Sequence, residues 1–186
     1  MIYFNCDYLE GGHPKILEKM LSTNMEQLTG YSTDHYCDSA RERIRQACGC
    51  PDADVHFLVG GTQTNLTAIA SILRPYQGVL AAHDGHIACH ETGAIEATGH
   101  KVLPIPCVDG KITADQVREF CHSHQTNTMR EHMVQPGMVY ISFPTEIGSL
   151  YTKKELKELS AACHENGIPL YIDGARMGYG LTSPDA

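Results

Sequence analysis

Short apolar runs recur along the 186-residue chain, each followed by polar or glycine-rich residues and then by a stretch of helical spacing. The runs at Val55–Val59, Gly78–Ala82, Val102–Ile105, Met138–Phe143 and Pro169–Ile172 have the length and continuity of strands buried on both faces. Between them, helices are expected over Pro14 to about Met20, Asp38–Cys48, Thr64–Leu73, His90–Ala97 and Ala114–His122. The clearest helix start is Thr152-Lys153-Lys154-Glu155, a capping box; Leu156, Leu159 and Ala162-Cys163 continue it, and Asn166-Gly167 stops it. Residues 122–136 are expected to form an exposed polar loop. This alternation predicts an α/β fold, a mainly parallel sheet with helices on both faces in three layers.

Composition narrows the partners. The chain has 42% apolar and 19% charged residues and a formal net charge of -8, so it lacks the basic field that nucleic acid or an anionic membrane requires. No apolar run reaches membrane-spanning length and the N-terminus has no leader pattern, so the cytoplasm is the expected compartment. The eight cysteines are scattered, and Cys48-Gly49-Cys50 alone offers too few ligands for zinc, so no metal site is expected.

Three segments could carry chemistry. "GGTQTN" from Gly60 to Asn65 lies between a predicted strand and helix, where backbone N–H groups, hydroxyls and the helix dipole can receive a phosphate. It matches neither a dinucleotide fingerprint nor a P-loop, and a simple capped helix start is the other reading. "HDGHIACHETG" brings His83, His86, His90 and Glu91 to another strand end, as solvated helix-start residues or as donors for a metal hydrolase. "YIDGAR" puts Asp173 at a third strand end with Arg176 beyond it, either as an internal ion pair or as a functional acid. All three point at the carboxyl edge of the sheet, where open parallel sheets bind ligands. Phosphate cradle, imidazole and carboxylate together are the parts needed to bind pyridoxal 5'-phosphate.

"GGTQTN", "HIACHETGA" and "YIDGAR", in this order, together with "FNCDYLEGGHPKIL" and "LTGYSTDHY", resemble the low-specificity threonine aldolase and aromatic amino acid β-eliminating lyase group of fold type I pyridoxal-phosphate enzymes. The resemblance runs essentially end to end. It implies that Gly61, Thr62 and Gln63 hold the cofactor phosphate, that His86 stacks on its ring, and that Asp173 pairs with its pyridine nitrogen. Arg176 would take the substrate carboxylate, with Cys6 standing where the group has a serine. His132 is the match for a second histidine near the substrate hydroxyl, and Tyr31 and Asp34 would contribute to the substrate site of the same or a neighbouring subunit.

The implied reaction is cleavage of a β-hydroxy amino acid, such as threonine, allo-threonine or phenylserine, to glycine and an aldehyde. A β-eliminating lyase or aminotransferase on the same scaffold and a non-catalytic remnant are the neighbouring possibilities. The group bonds its cofactor to a lysine beyond the Asp-Gly-Ala-Arg turn, whereas the seven lysines here all precede Asp173. Residues 1–186 are therefore expected to be most of the cofactor-binding large domain, without that lysine segment or the small C-terminal domain, and inactive alone. Partners expected are a small amino-acid substrate and either copies of the chain, as dimer or tetramer, or a complementary C-terminal chain.

Overall fold

The structure is a computed structural model that describes residues 2–3 and 5–184. The chain divides into two compact units, Met1–Phe57 and Leu58–Ala186.

In the first unit, α1 (Pro14–Thr23) opens with Pro14, whose missing N–H costs nothing at a helix start, and the His13 imidazole accepts from Lys15 N–H at 3.2 Å. Helix α2 (His35–Cys48) is capped by Asp34, which accepts from the N–H groups of Tyr36 and Cys37, and it ends at Gly49 with φ 62°. Arg41 and Arg45 of α2 reach the carbonyls of Val55 and Ala53 at 3.2 and 2.9 Å, which fastens the following segment along the helix. Neither helix buries a residue.

The second unit is built on a parallel four-stranded sheet, in the order β2-β1-β3-β4. The strands are β1 (Gln77–Ala82), β2 (Lys101–Ile105), β3 (Gln135–Ser142) and β4 (Leu170–Asp173). Side chains alternate across each strand and so divide between two cores. One face receives Val79, Ala81, Val102, Met138 and Tyr140 and is covered by Ile69 and Leu73 from α3 (Gly61–Ile72) and its end, Ile87 of α4 (His86–Cys89) and Ile95 of α5 (Ala94–Ala97). The other face receives Leu80, Leu103, Ile105, Val139 and Ile141 beneath α6 (Ala114–Thr126) and α7 (Lys153–Glu165). A last helix, α8 (Met177–Leu181), follows β4. Strand order reverses between β1 and β3, the kind of position where such sheets leave a ligand crevice at their carboxyl ends.

The predicted capping box is present: Glu155 N–H donates to the Thr152 hydroxyl at 3.2 Å, and Thr152 N–H donates to Glu155 Oε2 at 2.7 Å. Four of the five predicted strands form. Val55–Val59 does not: it has no ladder partner among the described residues, and Val59 is 95% exposed. An apolar run needs a free strand edge beside it before it can become a strand.

Of the predicted helix at His90–Ala97 only the last four residues are helical, as α5, while α4 ends at Cys89 just before it. Thr92 and Gly93 between them have φ of 51° and 74°, which an α-helix cannot contain. Helix α3 begins at Gly61, three residues before the predicted start, which makes "GTQ" its first turn. Residues 122–136 are not one loop: α6 runs to Thr126, a 3-10 turn covers Arg130–His132, and β3 opens at Gln135.

Candidate active site

The polar centre of the second unit lies at the carboxyl end of the α3-covered face. Strand period and register place it there: Tyr140 pairs with Tyr171 and Ser142 with Asp173, so these four side chains belong to one face. Tyr140 O–H donates to Asp173 Oδ2 at 2.8 Å. Helix α3 meets the same carboxylate from above, because Asn65, one turn in and 1% exposed, donates from Nδ2 to Asp173 Oδ2 at 2.9 Å. The other Nδ2 hydrogen goes to Glu91 Oε1 at 2.6 Å, and Tyr171 O–H donates to Asn65 Oδ1 at 2.9 Å. The three bonds fix which way the Asn65 amide faces.

Glu91 is 3% exposed and links the network to His86, whose Nδ1 lies 2.7 Å from Glu91 Oε1. A carboxylate there makes Nδ1 the protonated nitrogen and leaves Nε2 able to accept. Glu91 Oε2 is buried without a hydrogen-bond partner among the described residues. The remaining Asp173 oxygen, Oδ1, accepts from Ala175 N–H at 3.1 Å, closing the turn after β4. From Tyr140 the contacts continue to Ser142 Oγ at 3.3 Å, and Ser142 donates to Glu146 at 2.8 Å. Burial and the Asp173 carboxylate push the Tyr140 phenol well above its ordinary range, so it stays a donor. Burial, then Asp173 and Glu91, push Tyr171 up to about 12.

The N-terminus of α3 stands one turn before Asn65. No side chain among the described residues caps it, and the first helical hydrogen bond runs from Thr64 N–H to Gly60 O at 2.9 Å. The N–H groups of Gly61, Thr62 and Gln63 therefore point beyond the helix end. A Cβ on Gly60 or Gly61 would meet nothing within 4 Å among the described residues, so a guest can approach this backbone closely. Gln63 turns its Oε1 back to accept from Val59 N–H at 2.9 Å. Three orphan donors and a helix dipole suit an anion, and the carboxylate one helical turn away suits a protonated ring nitrogen. This donor set fits pyridoxal phosphate.

Of the residues singled out in the sequence, Gly61, Thr62, Gln63, His86, Glu91 and Asp173 thus converge. His83 and His90 stay outside the Asn65 network, and within the cluster only His86, Glu91 and Asp173 have ligand atoms within 4.8 Å of one another. Their hydrogen bonds occupy every one of the carboxylate oxygens except Glu91 Oε2. Arg176 is the exposed N-cap residue of α8. His132 sits in the turn before β3, at the amino end of the sheet; the eight-residue strand, at about 3.3 Å per residue, spans roughly 25 Å from there to Ser142. Cys6, Tyr31 and Asp34 belong to the first unit, where Asp34 serves as the α2 cap and Tyr31 is exposed with φ 59°.

Asn65, Tyr140, Tyr171 and Ser142 were not singled out from the sequence. A tyrosine two residues before a serine, inside an otherwise apolar strand, is the signal that was available for Tyr140 and Ser142.

The open parallel sheet with helices on both faces is the fold shared with solved pyridoxal-phosphate enzymes. It superposes on Leishmania major threonine aldolase with a TM-score of 0.90 and 50% identity, over 95% of this chain and 51% of that one. It also superposes on a PLP-bound C–S lyase from Staphylococcus hominis with a TM-score of 0.61 at 14% identity, which shows the fold alone. The sequence model of the Beta-eliminating lyase family matches residues 4–178, and the chain belongs to that family. Low specificity L-threonine aldolases from Pseudomonas sp. and Pseudomonas aeruginosa are 32% and 31% identical to it over 94% of this chain. The chain spans about half the length of these curated relatives, 49% in each case.

Proposed function

We propose that this chain carries the cofactor- and substrate-recognition part of a pyridoxal-phosphate-dependent carbon–carbon lyase of the threonine aldolase type. Its substrate would be a β-hydroxy amino acid, released as glycine and an aldehyde. The observation that supports this most is the Asp173 carboxylate, tied through Asn65 to Glu91 and His86 and lying one turn below the open start of α3.

When bound, pyridoxal phosphate supplies an electron sink for the bond broken at the substrate α-carbon. The chain's own residues bind and orient. Gly61, Thr62 and Gln63 hold the phosphate with backbone N–H groups, and the Thr62 hydroxyl is a further donor. Asp173, kept in place by Asn65 and Tyr140, holds a proton on the ring nitrogen. His86 covers the ring and, with Nδ1 engaged by Glu91, keeps Nε2 free to take the proton of the substrate hydroxyl. Arg176 takes the substrate carboxylate in a forked contact. Within one chain His132 is too far from Asp173 for the hydroxyl proton, so His86 is assigned that role. Cys6, Tyr31 and Asp34 of the first unit are the candidates for substrate contacts that the resemblance names. Assembly as a dimer or tetramer is part of the reading, supported by Ile16, Leu17, Met20 and Leu21 of α1, each more than half exposed.

Equilibrium dialysis tests this without requiring turnover. The chain is expected to bind pyridoxal 5'-phosphate at least about tenfold more tightly than pyridoxal, because the α3 donors engage only the phosphate. Equal affinity for the two would overturn the reading.

A further inference from the structure

A second group of donor atoms sits on the same edge of the sheet, outside the Asn65 network. Strands β1 and β2 run parallel and end side by side, and the ladder extends one residue further through His83 N–H to Ile105 O at 2.9 Å. Gly85 N–H then closes a turn onto Ala82 O at 2.9 Å, which presents His83 and Asp84 next to Cys107, two residues beyond β2. Cys107 Sγ lies 3.4 Å from His83 Nδ1 and donates to Asp84 Oδ1 at 3.0 Å. All three ligand atoms fall within 4.8 Å of one another, and the His83 ring is open to solvent.

We propose that His83 Nδ1, Asp84 Oδ1 and Cys107 Sγ form a binding site for a thiophilic divalent cation, with Zn2+ as the natural occupant. Thiolate, imidazole and carboxylate are the three ligand types zinc takes. Bonds of about 2.3 Å to sulfur and about 2.0 Å to nitrogen and oxygen at tetrahedral angles put the ligand atoms about 3.5 Å apart. The two separations from Cys107 Sγ, 3.4 Å to His83 Nδ1 and 3.0 Å to Asp84 Oδ1, are within about half an ångström of that, and a side-chain rotation of the exposed His83 brings its nitrogen and the Asp84 oxygen, already within 4.8 Å, to the same spacing. The cation replaces the thiol proton now shared with Asp84, and that proton leaves to solvent. The exposed side of His83 leaves the fourth position to water.

Occupancy would clamp the β1–α4 turn to the end of β2, and this turn carries His86 two residues after Asp84. The site does not depend on the cofactor reading, since none of its ligands holds that group. No spacing motif announces it, because Cys107 comes from a different strand end.

Cobalt titration of the purified chain tests it. One Co2+ per chain is expected, with a thiolate-to-metal charge-transfer band, and stoichiometric Zn2+ should displace it. Cys107→Ser should abolish the band, and the solvent-facing His83→Gln should weaken binding at least tenfold with unchanged circular dichroism. Cys48→Ser/Cys50→Ser should leave both unchanged, which separates this site from the Cys-Gly-Cys thiols. The proposal is overturned if the band survives Cys107→Ser, if it disappears in the Cys48/Cys50 variant, if His83→Gln binds as tightly as the wild type, or if no stoichiometric metal is bound.

Discussion

The two faces of the sheet are made from alternate residues of the same strands, yet they do different work. Under α6 and α7 the buried residues are almost entirely apolar, and both helices start with a capping box. Lys111 reaches Glu155 at 2.6 Å and Arg118 forks onto Glu165 at 2.7 and 3.0 Å, tying the ends of the layer together. Under α3 the core is apolar only towards the amino ends of the strands. At the carboxyl end it gives way to Asn65, Glu91, Tyr140, Tyr171 and Asp173, each held by hydrogen bonds to the others. One face can therefore be read as stability and the other as chemistry, and the division falls between neighbours in sequence such as Val139 and Tyr140.

That division is open to attack from both sides. The largest expected effect is on the apolar face: Leu159→Ala removes a fully buried side chain and should cost about 2–5 kcal/mol in denaturant unfolding, with cofactor affinity of the folded protein unchanged. A parallel loss of affinity would mean that the faces are not separable. On the polar face, Asn65→Leu fills similar space but removes both bridging N–H donors, leaving two carboxylates short of partners. A loss of about 1–3 kcal/mol is expected, together with weakened cofactor binding.

The smallest effect separates two tyrosines that are both pushed up to about 12, Tyr151 on the apolar face and Tyr171 on the polar one. Burial leads in both, but Asp173 and Glu91 add to it only for Tyr171. A phenol that ionises near 10 when unfolded and near 12 when folded stabilises the fold fully below pH 10, and that stability is lost as pH rises through 12. Spectrophotometric titration of Asp173→Asn should bring the Tyr171 phenolate to lower pH and leave Tyr151 where it was.

The apolar face was legible in the sequence because its signals are local. Thr152 and Glu155 are three residues apart, and strand runs such as Gly78–Ala82 are continuous. The polar face was legible only in its endpoints. His86 and Asp173 stand at or just beyond strand ends, and Gly60-Gly61 stands at the start of α3, where side chains and backbone are available to a ligand. What joins them was hidden, since Asn65 and Asp173 are 108 residues apart and their bond exists only once α3 lies over β4. Tyr140 was hidden for a different reason: inside an apolar strand its ring satisfies the hydrophobic pattern, and only the register with β4 reveals where its hydroxyl goes. Val55–Val59 failed in the opposite direction, as a run with strand composition and no edge to join.

The central claim is that Asp173 is held in place to keep a proton on a bound pyridine nitrogen. Pyridoxal phosphate labelled with nitrogen-15 in its ring reports this directly by NMR. The chemical shift of a protonated ring nitrogen is expected at neutral pH with the wild-type chain, and that of an unprotonated one with Asp173→Asn. The same shift from both proteins, with the label shown to be bound in each, would contradict the account.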